Sequence, residues 1–575
     1  MDIMIQQVRV YGFRGLKNIE VDLEPFTILT GINNVGKTTF LKAIQLVFGN
    51  ISFVTNDDFN IDLEDDKIIV DVKIVPFNKN KKFSDKWQEY FGIESVKFDL
   101  NNEDQELIPV RSVISVDPVS TNITRKQYVL MEWPSFDEWY KKGNDNKNIK
   151  SFGSESLPFF YIDAKRDIVE DLKLQKSYLG RVLSKISYSD KDVKAIEKSI
   201  EELNRQTVES SDILRQLEKS LEGIESAIGT HQQGVHITPF SKKVRDLNKG
   251  VSIQYDNYSI EYHGMGTRCW SSLLSYKSFI GISELVAKKE DRLFFPISAI
   301  EESEAHLHPS AQKKLFGQVS KMKGQVILST HSPYVVGAAE LKQIRGFYKD
   351  ETDVKCGRID TELFDREDIR KIKRQVVNTR GELFFSKVIV LFEGETEEQA
   401  LPLFAEKYFE KCMCELEIDF VGVGGAGNYL PFMRFAESFN IPWFIFSDAE
   451  DEIIRGVKNQ FKQIDTASSF NEHIVVLKKG NSFEKELIDE GYIEEFKKAV
   501  LSLQDYTNDQ HKAAKAQEIQ EYSKEKLVNE ALKNKTKMAP VLAFEIIDSK
   551  KSLPSKVVTL FEKIEEVITS KKNKG

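Results

Sequence analysis

Gly31-Ile32-Asn33-Asn34-Val35-Gly36-Lys37-Thr38 is the stretch whose reading decides the fold. It satisfies Gly-x-x-x-x-Gly-Lys-Ser/Thr, after the short β-rich run 26–30 and ahead of an amphipathic helix marked by Phe40, Leu41, Ile44, Val47 and Phe48. Each residue type has a physical task. Glycines let backbone N–H groups curl around phosphates, Lys37 supplies a point charge to the outer phosphates, and the Thr38 hydroxyl can ligate Mg²⁺. Strand, tight loop and helix in that order predict an α/β core that binds a nucleotide.

On either side of this loop the pattern is that of strands. Residues 5–13 and 18–23 alternate with period two, as do 68–75, 110–116 and 128–133, which predicts an antiparallel sheet appended to the α/β core. Apolar residues then fall at Val193, Ile196, Ile200 and Leu203, and again at Leu214, Leu217, Leu221, Ile224 and Ile228. That spacing predicts two amphipathic helices meeting in a hairpin, compatible equally with packing inside the chain and with a dimer seam. Beyond Val251 strand and helix alternate again. The polar stretch Val377-Asn378-Thr379-Arg380-Gly381 ahead of a new apolar strand marks the main domain boundary.

Composition bounds the function classes. A chain of 575 residues exceeds one hydrophobic core, and 41% hydrophobic with 30% charged residues is the balance of a soluble globular protein. No apolar run approaches the roughly 18 to 20 residues of a membrane span, and the start lacks a basic segment before an apolar one, so membrane and secretory roles are excluded. Four cysteines cannot build a disulfide framework, which fits a cytoplasmic location. The net charge of −9 argues against a general polyanion coat, but residues 531–575 hold ten Lys against five Asp and Glu, a locally basic tail.

An NTPase needs a second half, an acidic pair at the end of a buried strand. Ile297-Ser298-Ala299-Ile300-Glu301-Glu302 supplies it, with Glu301 to hold the metal and Glu302 to orient water, and Val326-Ile327-Leu328-Ser329-Thr330-His331 brings His331 toward a γ-phosphate. His306 and His308 lack further ligands and read as structural. Together with Phe13-Arg14-Gly15 and Gly264-Met265-Gly266-Thr267-Arg268, these motifs resemble those of ABC-type ATPases of the chromosome-maintenance and DNA-repair branch. The resemblance implies ATP contacts by Arg14, Asn33, Asn34, Gly36, Lys37, Thr38, Thr39, Gly266, Glu301, Glu302 and His331, with Mg²⁺ on Thr38 and Glu301. It also implies a dimer, since the segment 264–268 acts on nucleotide bound by a second subunit. Ser303 stands where the family usually carries Pro, and Pro296 falls within the apolar run, departures that predict slow hydrolysis.

The last third is a carboxylate story. Val388-Ile389-Val390-Leu391-Phe392 ends in Glu393-Gly394-Glu395-Thr396-Glu397, and 441–447 ends in Asp448-Ala449-Glu450. Two parallel strands would bring Glu393, Asp448 and Glu450 to one edge, where like charges repel unless Mg²⁺ or Mn²⁺ neutralises them. The order of these motifs, with the Gly422-Val423-Gly424-Gly425 bend between them and Phe483-Glu484-Lys485-Glu486-Leu487 after them, resembles the Toprim domain of topoisomerases, primases and certain nucleases.

An ABC-type ATPase followed by Toprim is the arrangement of the overcoming lysogenisation defect (OLD) family of nucleases, which the chain resembles over nearly its whole length. The resemblance implies an α/β fold: an ATPase domain over 1–380 with a helical insertion or dimerisation segment at about 165–235, then a Toprim domain with a C-terminal helical extension over 381–575. It further implies Glu393 and Glu397 on one metal ion, Asp448, Glu450 and Glu484 on the other, and Lys535 or Lys537 steadying the transition state. Expected partners are DNA and a second copy of the chain. The family implies anti-phage defence, alone, with a helicase partner as in Gabija systems, or beside a retron. The rival reading is a nucleotide-switched DNA clamp with vestigial carboxylates, against which the intact Glu393, Asp448 and Glu484 weigh. A topoisomerase needs a catalytic Tyr in a DNA-gate domain for which no room remains.

Overall fold

The protein is described here by a computed structural model. It covers residues 2–49, 51–63, 66–100, 102–117, 122–137, 139–141, 155–174, 177–184, 189–215, 253–255, 258–448, 450–464, 466, 468–549 and 551–573. An antiparallel sheet opens the chain in the spatial order Leu16–Asp22, Ile3–Phe13, Lys67–Pro76, Asn102–Val116, with Lys97–Asp99 and Ile123–Val129 both paired to the last. The run expected at 128–133 is a strand at Ile123–Val129 instead. Tertiary partners set its place: the Arg125 guanidinium donates to the carbonyls of Leu46, Val47 and Gly49, and the Gln127 amide donates to Val47, closing the end of the helix Lys37–Phe48.

A second sheet runs Asp353–Gly357, Ile344–Asp350, Phe26–Thr30, Gln325–Ser329, Ile297–Glu301, Phe159–Ile162, parallel except where Asp353–Gly357 pairs with its neighbour. Phe26–Thr30, Gln325–Ser329 and Ile297–Glu301 are buried at every residue, the continuous apolar pattern of strands covered on both faces. Pro296 does not interrupt the acidic strand as expected. It precedes Ile297, outside the ladder, where its missing N–H costs nothing and its carbonyl accepts from Gln325. The helix Lys37–Phe48 fills the space between the two sheets with Phe40, Leu41, Ile44 and Val47. The Gln325 side chain pins the sheets together, its Oε1 accepting from Ile5 N–H and its amide donating to the Ile5 and Glu24 carbonyls.

The first of the two expected amphipathic helices is Asp190–Glu209, capped by the Ser189 hydroxyl and running through part of the interruption read between the two apolar sets. The second, 214–228, is described only at Leu214 and Arg215, which are helical; the rest lies outside the described residues. Cys412 and Cys414 form one disulfide, a local link rather than a framework. Among the described residues no helix is long and apolar enough to cross a membrane.

The last third contains a parallel sheet in the order Ile418–Gly422, Val388–Phe392, Trp443–Ser447, Ile474–Val476. Helices Phe483–Asp489, Ile493–Ser502, Asp509–Gln520, Lys524–Lys533, Lys535–Asp548 and Ser555–Asn573 follow it, and the helix Glu395–Phe409 packs under Lys535–Asp548. One apolar core runs from the second sheet into this one, joining Val335, Ile344 and Val376 to Leu391, Phe435 and Phe439. Glycine makes that join possible. Gly346 and Gly357 face each other across the strand pair; a Cβ on the first would collide with the Phe439 ring and one on the second with the Ser438 carbonyl. Gly346→Val should therefore overpack the seam, at a cost of about 1–3 kcal/mol. Calorimetry is expected to show a lower Tm and a split transition; an unaltered single transition would mean that the seam carries no strain.

Candidate nucleotide and carboxylate sites

Parallel pairing aligns Leu29 with Ser329 and Ser329 with Glu301, so three strands end side by side. From the first, the chain turns through Gly31 at φ 134° and Gly36 at φ 90°, values open to glycine at little cost. The helix Lys37–Phe48 then begins without a side-chain cap and without an acidic residue in its first turn, leaving its N–H groups and dipole to an anion. Asn33, Asn34 and Thr38 are exposed around this end, and Thr39 is half-buried. The buried Lys37 ammonium donates to the carbonyls of Gly31 (2.7 Å) and Ile32 (2.8 Å). Burial lowers its pKa to about 8, outweighing the attraction of Glu302, Glu301 and Glu304.

Glu301 closes its strand buried, with Oε1 lacking any hydrogen-bond partner, while the Tyr161 hydroxyl bonds the same carboxylate. Glu302 is half-exposed at φ 39°, and His331 Nε2 lies 3.9 Å from its Oε1. Burial, then Lys37, lowers the His331 pKa to about 4, so its imidazole is neutral near pH 7. The structure thus brings Lys37, Glu301, Glu302 and His331 together. Arg14, at φ 51°, is instead engaged by Asp58 at 2.6 Å. Gly266 sits in the first turn of the helix Met265–Lys289, where a Cβ would strike the His306 carbonyl; Gly264 and Met265 ahead of it are exposed. His308 caps the helix Pro309–Val319 through Ser310 N–H, the structural role expected.

Two supporting residues escaped the sequence reading. Glu304 Oε1 accepts from the Thr330 hydroxyl and from His331 N–H (3.0 Å), which sets the backbone that carries the imidazole. The buried Arg166 guanidinium donates to the carbonyls of Cys269, Glu301 and Ser303, tying the helix Met265–Lys289 to the acidic strand end. Neither lies in a spaced motif with a partner nearby in sequence, so no local signal marked it. Lys37→Ala should weaken ATP binding by about 100-fold, the equivalent of roughly 3 kcal/mol for charge-assisted hydrogen bonds to phosphate. Equilibrium binding of labelled ATP measures this, and undiminished affinity would contradict the role of the loop.

The second site is built the same way. Val388–Phe392 and Trp443–Ser447 run parallel, with Leu391 opposite Ile445, so Glu393 and Asp448 leave the sheet at one edge. The Gly422–Gly425 bend follows the neighbouring strand, with Gly424 at φ 71° and Gly425 at φ 127°. Tyr429 donates from its hydroxyl to Glu393 Oε1 at 3.2 Å. The Glu397 carboxylate folds back over Gly394, into the space a Cβ would take. Glu484, in the first turn of Phe483–Asp489, is buried and accepts from the Thr396 hydroxyl at 2.6 Å, with Lys535 Nζ 3.9 Å away.

These carboxylates feel one another. Burial first, then Asp448 and Glu484, pushes Glu397 up to about 8; burial, then Glu484 and Glu393, pushes Asp448 up to about 6. Glu393 is raised by burial and by Glu450, itself exposed at the head of the helix Asp451–Phe461. Lys535 is the cation that offsets the effect at Glu397 and Asp448; Lys537 is exposed. Asp448 Oδ1 is buried without a partner. Among the described residues no three His, Cys, Asp or Glu side chains are drawn close enough to hold a metal ion as they stand. Hard carboxylate oxygens, mutually repelling and with one orphaned, are nevertheless the donor set that Mg²⁺ or Mn²⁺ takes. Thr396 and Tyr429, which hold Glu484 and Glu393, were not read from the sequence as partners because their roles exist only across helices.

Residues 4–336 match the AAA ATPase domain family, and residues 384–449 match the Toprim domain of overcoming lysogenization defect protein-like proteins. With the first match spanning more than half of it, the chain belongs to the AAA ATPase domain family and couples that domain to a Toprim domain. In this pairing it is similar to proteins named OLD nucleases. The OLD nuclease of Thermus scotoductus is 24% identical over 479 residues, 78% of this chain and 82% of that protein. The Old nuclease of Escherichia phage P2 is 22% identical over 496 residues, 78% of each. Endonuclease GajA of Bacillus cereus is 21% identical over 516 residues, 77% of this chain and 74% of that one.

The raised carboxylate pKa values fix the sign of a pH effect. A carboxyl whose folded pKa exceeds its unfolded value stabilises the fold below the unfolded pKa, and that stability is lost as pH rises through the folded one. For Glu397 the window runs from the ordinary carboxyl value of 4.5 to about 8. In EDTA the protein should lose stability between pH 6 and pH 8.5, and Glu397→Gln should flatten that loss. Urea unfolding at the two pH values tests it; equal losses in parent and variant would refute the assignment.

Proposed function

We propose that the chain is an ATP-binding, divalent-metal-dependent DNA endonuclease of the OLD family, acting in anti-phage defence. The enzyme class rests on the pairing of ATPase and Toprim domains and on relatives named as nucleases. The observation that carries the metal reading is the orphaned Asp448 Oδ1 amid carboxylates whose pKa values rise together. In this proposal Glu393 and Glu397 hold one ion, and Asp448, Glu450 and Glu484 hold the other. A divalent metal bound there supplies an activated water and neutralises charge on a phosphodiester. The chain's residues do the rest. Tyr429 orients Glu393, Thr396 orients Glu484, and Lys535, poised 3.9 Å from Glu484, meets the negative charge that develops on the transferring phosphoryl group. The approach of Lys535 to Glu484 supports Lys535 over Lys537 for that role.

The proposed division is an ATPase domain over 1–380, with an insertion at about 165–235, and a Toprim domain with helical extension over 381–575. ATP bound at Lys37 and Thr38, with Mg²⁺ on Thr38 and Glu301, would complete its site with Gly266 of a second copy, because the exposed start of Met265–Lys289 is free to face outward. A symmetric dimer pairs two such sites at once. Slow hydrolysis now rests on Ser303 alone.

The test is incubation with plasmid and linear DNA under Mg²⁺, Mn²⁺ or EDTA, with and without ATP. Glu393→Ala and Asp448→Ala should each abolish nicking and cutting. Both variants are expected to keep or slightly raise the metal-free Tm, since each deletion relieves repulsion among like charges. Parental cleavage by both variants would remove Glu393 and Asp448 from the chemistry, whereas a parent that binds DNA without cutting it would favour the clamp.

A further inference from the structure

The carboxylate cluster faces a substrate of its own sign. A nucleic-acid backbone approaching five acidic side chains needs cations beside them, and Lys535 is a single charge inside the cluster. The chain provides more at the neighbouring strand end. Ile474–Val476 pairs with Trp443–Ser447, Val476 opposite Ser447, and Leu477 N–H donates to the Ser447 carbonyl at 3.2 Å. Lys478 and Lys479 therefore leave the sheet beside Asp448, about one strand spacing away, ~4.8 Å. Their side chains are 60% and 82% exposed. Lys479 Nζ rests 3.2 Å from Asp451 Oδ2, in the first turn of the helix that Glu450 heads. The turn passes through Gly480 at φ 80°, whose carbonyl accepts from Lys485 Nζ at 3.3 Å.

Beneath this turn lies a buried charge that the cleavage reading does not use. Glu486 is 1% exposed. Its Oε2 accepts from Asn481 Nδ2 (2.7 Å) and from Lys478 N–H (3.3 Å). Its Oε1 has no hydrogen-bond partner, the nearest cation being Lys478 Nζ at 3.8 Å. Burying a carboxylate so incompletely satisfied is expensive, and an apolar residue would fill the space at lower cost. What Glu486 does do is hold the backbone of Lys478 and the side chain of Asn481, and so the shape of the turn. Glu484 and Glu486 lie about 200° apart around one helix. The same helix thus points one carboxylate into the cluster and the other under the lysines.

We propose that Lys478 and Lys479, with Lys485 beside them, form a shelf that binds the DNA backbone phosphates next to the cleaved one, and that Glu486 is the positioning residue of that shelf. In the free protein Asp451 holds Lys479; a phosphate takes its place when DNA binds. The proposal rests on the nuclease reading and adds to it where the strand lies: across the exit of Ile474–Val476, on the Asp451 side of the cluster.

The experiment compares the full-length parent, Lys478→Ala/Lys479→Ala, Glu486→Gln and the triple variant. Affinity for a short DNA duplex is measured in Ca²⁺ over a range of salt, and cleavage in Mg²⁺ or Mn²⁺. Losing two phosphate contacts should lower the slope of log K against log salt by about 1.8 and weaken binding by roughly 10-fold near 0.1 M salt. KM should rise more than kcat falls, while Tm and the Mn²⁺ titration stay as in the parent. Glu486→Gln, close to isosteric, should show a smaller loss in the same direction, and the triple variant should be no worse than the double. A salt slope unchanged in the double variant of a parent that cuts DNA overturns the shelf alone. So does a triple variant whose losses simply add, since Glu486 would then serve the fold and not the lysines. A parent that neither binds nor cuts DNA overturns the nuclease reading and the shelf with it.

Discussion

Parallel pairing of buried strands is the constraint on which both sites depend. Phe26–Thr30, Gln325–Ser329 and Ile297–Glu301 can lie side by side only if long crossovers return the chain to the same end each time. Their carboxyl ends are thereby forced to one edge, where Lys37 meets Glu301 and His331 from far earlier in the chain. The parallel sheet of the last third repeats the device with Val388–Phe392 and Trp443–Ser447. Strand interiors must be apolar because both faces are covered, so polar chemistry is confined to the first residues beyond each strand. The two sites are consequences of one rule applied twice.

What differs between them is the sign of the unmet charge. At the first, an uncapped helix start and a buried Lys37 ammonium await an anion. At the second, burial and mutual repulsion raise Glu397 and Asp448 above the ordinary carboxyl range, and the cluster awaits a cation. Each site keeps buried carboxylate oxygen without a partner, Glu301 Oε1 and Glu304 Oε2 at the first and Asp448 Oδ1 at the second. Such groups cost stability in the empty protein, and function is where proteins tolerate that cost. The glycine seam at Gly346 and Gly357 then joins the two halves through a shared core, so the strand next to the phosphate loop bears directly on Phe439.

Much was legible in the chain before its folding was known. The loop 31–38, the acidic ends of two apolar runs and the glycine bend 422–425 are local patterns, because phosphate cradles and strand ends require particular residue types at fixed spacing. The helix starting at Lys37 and the strands ending at Glu301, Ser329, Phe392 and Ser447 fall where those patterns put them. The strand expected at 128–133 was misplaced because its position depends on Arg125 and Gln127 reaching a helix end more than seventy residues away in sequence. Pro296 looked like an interruption because periodicity cannot tell a residue inside a strand from the one just before it.

The sequence by itself determined the kinds of chemistry available: a phosphate loop, acidic strand ends and a basic tail, each set by short-range spacing. Only the tertiary structure decided which of these groups meet. It put Lys535 and not Lys537 beside Glu484, gave Glu393 and Glu484 their hydroxyl partners in Tyr429 and Thr396, and buried Glu486 beneath Lys478. The physical reason is range. Backbone spacing acts over a few residues, whereas desolvation and Coulomb interaction act through space, between groups that only the packing of sheets and helices brings within reach.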